Sequence, residues 1–503
     1  MQDYKPATGI NISLSTPKGR CEVSRRKKLF IDGRWFEAQN YETLKSPYSE
    51  EAIAEIPQAT IQETESAIAA ADRAAKVMAA MPSHQRAEIL GKVTSLLTER
   101  AEEAARLIAV EAAKPLAMAR AEVQRTIMTY KFSSEEARRI HGEQIAIDAA
   151  PGGENRTAYT VREPLGAVGA ITPFNFPMNL VAHKVGPAIA AGNSVVLKPA
   201  SQTPLSSFLI AELFAEAGLP AGALNIVTGD GRTVGDKIVT DPRIKAVTFT
   251  GSPGVGMEIR SRAGLKRVTL ELGSNSALIV DRDVDIDEII ARCVISSFSF
   301  QGQVCVSLQR IYVHDAIYDA FVNKFVEETH KLTIGDPLDE RTDLSALISR
   351  RDVERTLSWI EEAKQNGAVI ATGGTAEGNI VMPTVLLGVD PETKVSCQEA
   401  FAPVVLINKV KSVEEAVNYV NDSRFGLQAG IYTSNMHNAF YAAKTLHVGG
   451  VMLNDTPSFR VDHMPYGGVK DSGVGREGVK YAVEEMTEMK LIMINHNITH
   501  AGK

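Results

Sequence analysis

"GAVGAITPFNFPMNLVAHKVGPAIAAGNSVVLKP", residues 166–199, decides the fold. Its ends, GAVGAITP (166–173) and NSVVLKP (193–199), are short β-rich runs, and the MNLVAHKVGPAIAAG between them is mostly helical in character. Strand, helix and strand in this order form a right-handed crossover unit, which lays the two strands parallel in one sheet. The alternation continues through LNIVTG (224–229), KAVTFTG (245–251) and RVTLELG (267–273), with helical TPLSSFLIAELFAEAG, DGRTVGDKIVTDP and PGVGMEIRSRAG between them. The expected fold class is therefore α/β, built on a Rossmann-like parallel sheet. Such a sheet collects ligands at the carboxyl ends of its strands.

A second α/β series lies downstream. SALIV (276–280) leads into a helix near 285–300, followed by RIYVH (310–314), APVVLINKV (402–410), LQAGIYT (427–433) and GGVMLND (449–455). Upstream, KLFIDGRWFEA (28–38) reads as a hairpin around Asp32-Gly33. Residues 60–141 are helical, rich in Ala, Glu, Arg and Leu, and Pro82 splits two helices with Ser83 as an N-cap. Two stretches stand apart. GEQIAIDAAPGGENRTAYTVREP (142–164) reads as a long polar two-stranded arm, and EMKLIMINH (488–496) as a terminal strand with an uncovered edge. An arm and a bare edge together call for a second subunit, so a homodimer or homotetramer is expected.

The chain has 503 residues, too many for one hydrophobic core. Apolar residues make up 44% and charged residues 23%, an ordinary water-soluble composition. The net charge of -7 gives no reason to expect nucleic acid as a partner. The basic run Arg25-Arg26-Lys27-Lys28 reads as a solvated segment before the first strand. No stretch has the length of apolar residues that a membrane span needs, and no apolar leader opens the chain. Four widely spaced cysteines are no disulfide framework, and no Cys/His cluster has zinc spacing. A cytoplasmic protein with reduced thiols, no structural metal and no membrane partner is expected.

Five pieces at strand ends have chemistry to offer. In ITPFNFP (171–177), Asn175 either closes a turn or donates its amide to an oxyanion. In LKPASQTP (197–204), Lys198 is either a solvated loop lysine or a hand for a ribose or phosphate. FTGSPGVG (249–256) opens a helix whose free N–H groups favour a phosphate, and GDGRTVG (229–235) is a second glycine-rich turn; neither has the full dinucleotide spacing. In LELGSNS (270–276), Glu271 lies at an apolar strand end, where a carboxylate is capped, paired or put to use as a base. Finally, SFSFQGQVCVSLQR (297–310) holds Cys305 behind Gly302 and Gln303. A free cysteine is commonly a small buried hydrophobe, the reading kept for Cys21, Cys293 and Cys397. The neighbouring glycine sets Cys305 apart, because it lets a substrate approach.

In this order the pieces resemble the aldehyde dehydrogenase superfamily, over about residues 28 to 496. The resemblance rests on ITPFNFP, VVLKPASQTP, FTGSPGVG, LELGSNS, GQVC, EAFAPV (399–404) and MPYGGVKDSGVGREG (464–478). It implies a dinucleotide-binding domain from 28–141 and 165–273, a catalytic domain over 274–482, an oligomerisation arm from 142–164 and 483–500, and a lead-in over 1–27. It implies Cys305 as the nucleophile that attacks an aldehyde, Asn175 and the Cys305 N–H as oxyanion donors, and Glu271 as the base that releases the acid from a thioester. The cofactor is NAD or NADP. Lys198 would hold its adenosine ribose, Ser252 and its helix the pyrophosphate, and Glu399 the nicotinamide ribose with Phe401 beside it. Ile171, Thr172, Phe174, Ser201, Gly231, Gly235, Phe249, Gly251, Gly256 and Leu272 complete the implied cofactor site.

Three departures from the family pattern stand out. Ser274 replaces a usual glycine, Phe300 replaces a common Asn, and Ser201 replaces the Glu of many NAD-preferring members. A serine does not repel a 2′-phosphate, so NADP is admitted alongside NAD. The stretches FNFPMNLVAHKVGPAIAAGN, FRVDHMPYGGVK and GREGVKYAVEEM look most like the lactaldehyde and glyceraldehyde dehydrogenase branch. A short hydroxylated or anionic aldehyde is the expected substrate, with Arg125, Met178, Val304, Val306, Phe459, Arg460 and His463 as candidate pocket residues. Arg460 reads alternatively as a surface loop residue paired with Asp462. Sulfolactaldehyde, phosphonoacetaldehyde and succinic semialdehyde dehydrogenases are neighbouring alternatives; Val304 and Phe176 stand where phosphonate enzymes tend to place basic residues. A CoA-acylating enzyme is the remaining alternative, and Glu271 argues against it.

Overall fold

The computed structural model describes residues 26–497. Cys21, Arg25, most of the lead-in over 1–27 and the last three residues of the 483–500 arm lie outside the described residues. The expected parallel sheet is the centre of an eight-stranded one. Strands Leu224–Ile226, Ser194–Lys198, Ala167–Ile171, Ile244–Thr250 and Arg267–Glu271 run parallel in that spatial order. Ala167–Ile171 and Ser194–Lys198 are buried along their whole length, as befits strands covered on both faces. The chain steps outward from Ala167–Ile171 in one direction and then returns to Ile244–Thr250 on the other side. That reversal is the switch point where a crevice opens at the strand ends.

The edges of this sheet are antiparallel. On one side lies the hairpin Leu29–Ile31 with Arg34–Phe36, turning at Asp32 (φ 53°) and Gly33 (φ 73°). Two left-handed residues are what a tight two-residue hairpin demands. The other edge is Gly473–Val474, which comes back from the far end of the chain to pair with Leu270 and Glu271. Helix Asn179–Ala191 is wholly buried and stops at Gly192 in the left-handed conformation. Helices Ile61–Ala80, Ser83–Glu99, Ala101–Ala112 and Leu116–Glu136 form the helical segment expected upstream. Pro82, rather than Ser83, holds the N-cap position; its carbonyl accepts from the Gln85 N–H, and Ser83 already belongs to the helix. Lys27 is buried, its N–H bonded to the Glu55 carbonyl, so the basic run is not solvated throughout.

A seven-stranded sheet carries the second series. Its order is Val369–Thr372, Thr384–Leu387, Val404–Val410, Arg310–His314, Ala277–Val280, Gln428–Tyr432 and Gly450–Leu453, parallel except at the first strand. Three further strands complete the fold as a separate sheet. Thr487–Asn495 pairs antiparallel with Arg156–Pro164, and Gln144–Ile145 lines the other side. The arm and the terminal strand thus cover one edge of each other, and the outer edge of Thr487–Asn495 has no strand partner among the described residues. Residues 483–485 complete helix Val479–Glu485, so the arm strand begins at Thr487.

Candidate active site

Sheet register assembles the first part of the site. Lys198 pairs with Ile171, Ile171 with Phe249 and Phe249 with Leu270, so four expected positions or their neighbours lie in one row at the carboxyl ends. Glu271 is the next residue along. Gly251 donates its N–H to the Glu271 carbonyl (3.0 Å), and Thr172 donates to the Lys198 carbonyl (3.2 Å), which folds both following loops over the row.

The loop that carries Cys305 enters from the other sheet. Phe300, Gln301 and Gly302 have φ of 48°, 54° and 69°, three left-handed residues in succession. Such a backbone costs energy at the two non-glycines and persists only where neighbours enforce it. Here they do. The Gln301 amide donates to the carbonyls of Ala113 (3.0 Å) and Ala346 (2.9 Å), and the Ile348 N–H donates to the Gln303 side chain (3.0 Å). A Cβ on Gly302 would stand 2.1 Å from the Ala402 carbonyl oxygen, so no other residue fits. Cys305 emerges half-buried among Val304, Val306, Leu427, Met464 and Tyr466. Its Sγ lies 2.9 Å from the Tyr466 hydroxyl. Burial pushes the thiol up to about 11, while the Tyr466 hydrogen bond and the Arg460 charge pull it down.

Asn175 is joined to this loop directly. Its side-chain Nδ2 donates to the Gln303 carbonyl (3.0 Å), while its Oδ1 is buried without a partner. Its own carbonyl accepts from the Lys114 ammonium at 2.6 Å. Lys114 is fully buried, forms an ion pair with buried Glu122, and lies over the rings of Phe176 (3.8 Å) and Phe300 (4.3 Å). Glu122 in turn accepts from the N–H groups of Met178 (2.9 Å) and Asn179 (3.1 Å), capping the helix that follows. One buried cation thereby ties the Asn175 turn to the Cys305 turn. Phe300 fills that role where the family often has Asn.

Glu271 is 3% exposed, and neither carboxyl oxygen has a hydrogen-bond partner. Burial, then the neighbouring Glu477 charge, raises it well above the ordinary carboxylate range. A Cβ on Gly467 would lie 2.9 Å from Glu271 Oε1, so the YGG turn packs against the carboxyl. Glu477 is buried too, but it pairs with Lys184 (3.0 Å) and Arg460 (2.9 Å). Those cations hold it far below the usual range despite burial. Arg460 is therefore no surface residue. It lies 3.6 Å over the Tyr466 ring, and its partner is Glu477; Asp462 is taken by Arg125 (2.8 Å), His183 (2.9 Å) and Asn179 (3.0 Å).

Among the remaining pocket candidates, Val304 and Val306 flank the thiol, whereas Met178 is fully buried beneath Glu122. Phe459 and His463 stay exposed on their loop, His463 against the Phe132 ring (4.8 Å). Cys293 is a core residue, as expected; Cys397 is half-exposed and not a buried hydrophobe. Residues that pattern reading missed include Tyr466, Glu477, Lys184, Lys114 and Glu122. One signal for them was present: Lys184 and His183 interrupt an otherwise apolar helix, and a buried lysine requires a partner.

The groups around the row fit a nicotinamide dinucleotide. Lys198 is buried with its ammonium 3.4 Å from the Pro199 carbonyl and no carboxylate bonded to it. The Gly231–Gly235 turn lies beside it: a Cβ on Gly235 would stand 3.9 Å from the Lys198 Cδ, and Gly231 faces open space. Ser252 starts helix Pro253–Arg262 without a side-chain cap, leaving first-turn N–H groups for a phosphate. A Cβ on Gly251 would lie 2.5 Å from the Phe249 ring and one on Gly256 2.4 Å from Leu272, so a side chain at either would force its neighbour to move. Glu399 is pushed up to about 7 by burial, although the Ser274 N–H donates to it (2.9 Å). Phe401 meets Phe174 edge-on at 5.7 Å. The Ser274 hydroxyl is hydrogen-bonded with that of Ser276 (2.9 Å), and Ser201 is exposed. No His, Cys, Asp and Glu cluster suited to a metal occurs among the described residues.

A parallel-sheet crevice suited to a dinucleotide, with a half-buried thiol and an unpartnered buried carboxyl at the same end of the molecule, is the arrangement of an oxidoreductase. The chain belongs to the aldehyde dehydrogenase family, whose model matches residues 35–492. The enzymes of this family oxidise aldehydes with NAD(P). It is 47% identical over 467 residues to a 3-sulfolactaldehyde dehydrogenase of Priestia aryabhattai, covering 93% of this chain and 98% of the relative. It is 41% identical to a lactaldehyde dehydrogenase of Methanococcus aeolicus, covering 93% of this chain and all of the relative. The crystal structure of glyceraldehyde-3-phosphate dehydrogenase GapN from Methanocaldococcus jannaschii, complexed with NADP, superposes with a TM-score of 0.87. It is 39% identical and covers 91% of this chain and all of its own.

Proposed function

We infer that the chain oxidises a short hydroxylated or anionic aldehyde, of the lactaldehyde, glyceraldehyde or sulfolactaldehyde kind, to its carboxylic acid, with water as the acyl acceptor. The observation that carries the hydrolytic reading is Glu271, a buried carboxyl whose two oxygens no residue has claimed. A glutamate with a purely structural task would be paired, as Glu477 and Glu122 are.

The chain's own groups divide the work. Cys305, as thiolate, adds to the carbonyl carbon, and the carbonyl π pair moves to oxygen. The Asn175 amide, with one hydrogen on Gln303, turns its second towards that oxygen. The Cys305 N–H, which has no acceptor among the described residues, is the other donor. NAD(P), when bound, supplies the hydride acceptor for the oxidation. Lys198, Ser252 with its helix, and Glu399 would hold its ribose and phosphate groups. Glu271 then takes a proton from the water that attacks the Cys305 thioester; the C–S bond breaks and sulfur leaves as thiolate. The uncharged Ser201 supports use of NADP as well as NAD, as does the NADP held by the Methanocaldococcus relative.

In this reading the eight-stranded sheet with its helices is the dinucleotide-binding domain and the seven-stranded sheet the catalytic domain. The three-stranded sheet is the oligomerisation arm. Met489, Leu491 and Met493 alternate along its outer strand and are about half exposed, a face suited to a second copy in a cytoplasmic homodimer or homotetramer. No helix among the described residues is long and apolar enough to cross a membrane. A screen of lactaldehyde, glyceraldehyde, sulfolactaldehyde, succinic semialdehyde and benzaldehyde with each coenzyme tests the function. Turnover of the first three without CoA is expected; strict dependence on CoA, or preference for benzaldehyde, overturns it.

A further inference from the structure

The Tyr466 hydroxyl stands 2.9 Å from the reacting sulfur, and the mechanism above gives it no task. Its surroundings leave it little freedom. The residue is 3% exposed, and the Arg460 guanidinium covers its ring at 3.6 Å. Arg460 is held by Glu477, and Glu477 by Lys184, so the ring is clamped by a buried chain of charges. Burial also raises the phenol well above its ordinary value, so it stays protonated and donates to the sulfur once the thiol has ionised.

We propose that Tyr466 is a specificity-determining residue: its hydroxyl donates first to the Cys305 sulfur and then to the oxygen on carbon 2 of the substrate, selecting 2-hydroxyaldehydes. The inference rests on the reading of Cys305 as the nucleophile of an aldehyde oxidation. Its geometry is simple. In the adduct, the carbonyl carbon is bonded to sulfur, carbon 2 to the carbonyl carbon, and the 2-hydroxyl to carbon 2. A donor within hydrogen-bond reach of sulfur therefore reaches that hydroxyl in the adduct rotamer that turns carbon 2 and its oxygen towards Tyr466. As the C–S bond forms, the sulfur loses its negative charge and becomes a weak acceptor, which releases the tyrosine at the step where the new oxygen arrives. An aldehyde with only hydrogens on carbon 2 leaves a buried donor unpaired, a mismatch that polar pockets reject strongly.

The test compares lactaldehyde with propanal, its 2-deoxy analogue, in the full-length enzyme and in Tyr466→Phe. The unsubstituted enzyme should favour lactaldehyde in kcat/KM by about tenfold to a hundredfold. Tyr466→Phe should erase most of that ratio: loss of the donor to sulfur slows both aldehydes, and lactaldehyde falls about tenfold further than propanal. Equal falls on both aldehydes overturn the selection of carbon 2. An unsubstituted enzyme that oxidises neither overturns the selection together with the aldehyde reading beneath it. A second measurement is independent of any substrate: the pH profile of Cys305 alkylation by iodoacetamide, with the site assigned by mass spectrometry. Loss of the donor should move the profile to higher pH in Tyr466→Phe, and an unmoved profile overturns the contact with sulfur.

Discussion

Glu271 and Glu477 are two carboxylates of one buried site, and they behave in opposite ways. Both are 3% exposed or less, so each carries the same penalty for ionisation. Glu477 has Lys184 and Arg460 on its two oxygens and is held far down; Glu271 has no bonded partner and is held up. Burial alone therefore does not decide the charge of a group here. The placement of two cations does, and it splits a like-charged pair into a fixed anion and a group free to exchange a proton. Such a split is the usual origin of an acid–base assignment within one site.

Replacing the exchangeable member should have the largest effect. Glu271→Gln is expected to lower steady-state turnover by about a hundredfold to ten-thousandfold. A pre-steady-state burst of one NAD(P)H per site should survive, because acylation does not need this carboxyl. Stopped-flow absorbance reads both, and disappearance of the burst would assign Glu271 to the earlier step. Replacing the fixed anion should act on stability instead. Glu477→Gln leaves Lys184 and Arg460 buried with less compensating charge, at a cost of about 3 to 5 kcal/mol in unfolding free energy by chemical denaturation. Chemical melts within about 1 kcal/mol of the unsubstituted protein would mean the cations are compensated elsewhere.

The subtlest contrast is in pH. Glu271 has a folded-state pKa above its unfolded one, so in the interval between them the folded chain holds more protons. Its contribution to stability therefore declines as pH rises from the ordinary carboxylate value of about 4.3 through the raised one. Glu477 runs the other way: its contribution is complete above about 4.3 and is lost as pH falls towards its lowered value. Glu271→Gln should accordingly melt higher than the unsubstituted protein at pH 8, by about 2 to 4 °C, with the gain shrinking towards pH 5. A gain independent of pH would place its origin in packing rather than charge.

Much of this was legible in the chain, and the division follows from distance along it. The parallel strands could be read because each is a local run of apolar residues, and Cys305, Glu271 and Asn175 could be singled out as candidates because each stands in a short motif. Strands Val369–Thr372 and Thr384–Leu387 escaped notice, being four residues each and bounded by glycines and Pro383. The electrostatics escaped it for another reason. Lys184 and Glu477 are 293 residues apart and Tyr466 and Cys305 are 161, so only folding brings the partners together. Arg460 shows the hazard: its near neighbour Asp462 looked like its partner, and tertiary structure gave each residue a different one.

For attempts to retune the enzyme towards other aldehydes, the left-handed turn at residues 300–302 has a practical meaning. Two amide side chains and a methyl-free α-carbon pin that turn from three directions, so libraries built there will mostly yield misfolded protein. On the opposite rim, the outward-facing Phe459, Val461 and His463 tolerate variation on geometric grounds, whereas Arg460 and Asp462 between them are buried in ion pairs and do not. Mutational effort is best invested on that rim, with the thiol bearing left as the fixed jaw of the vice.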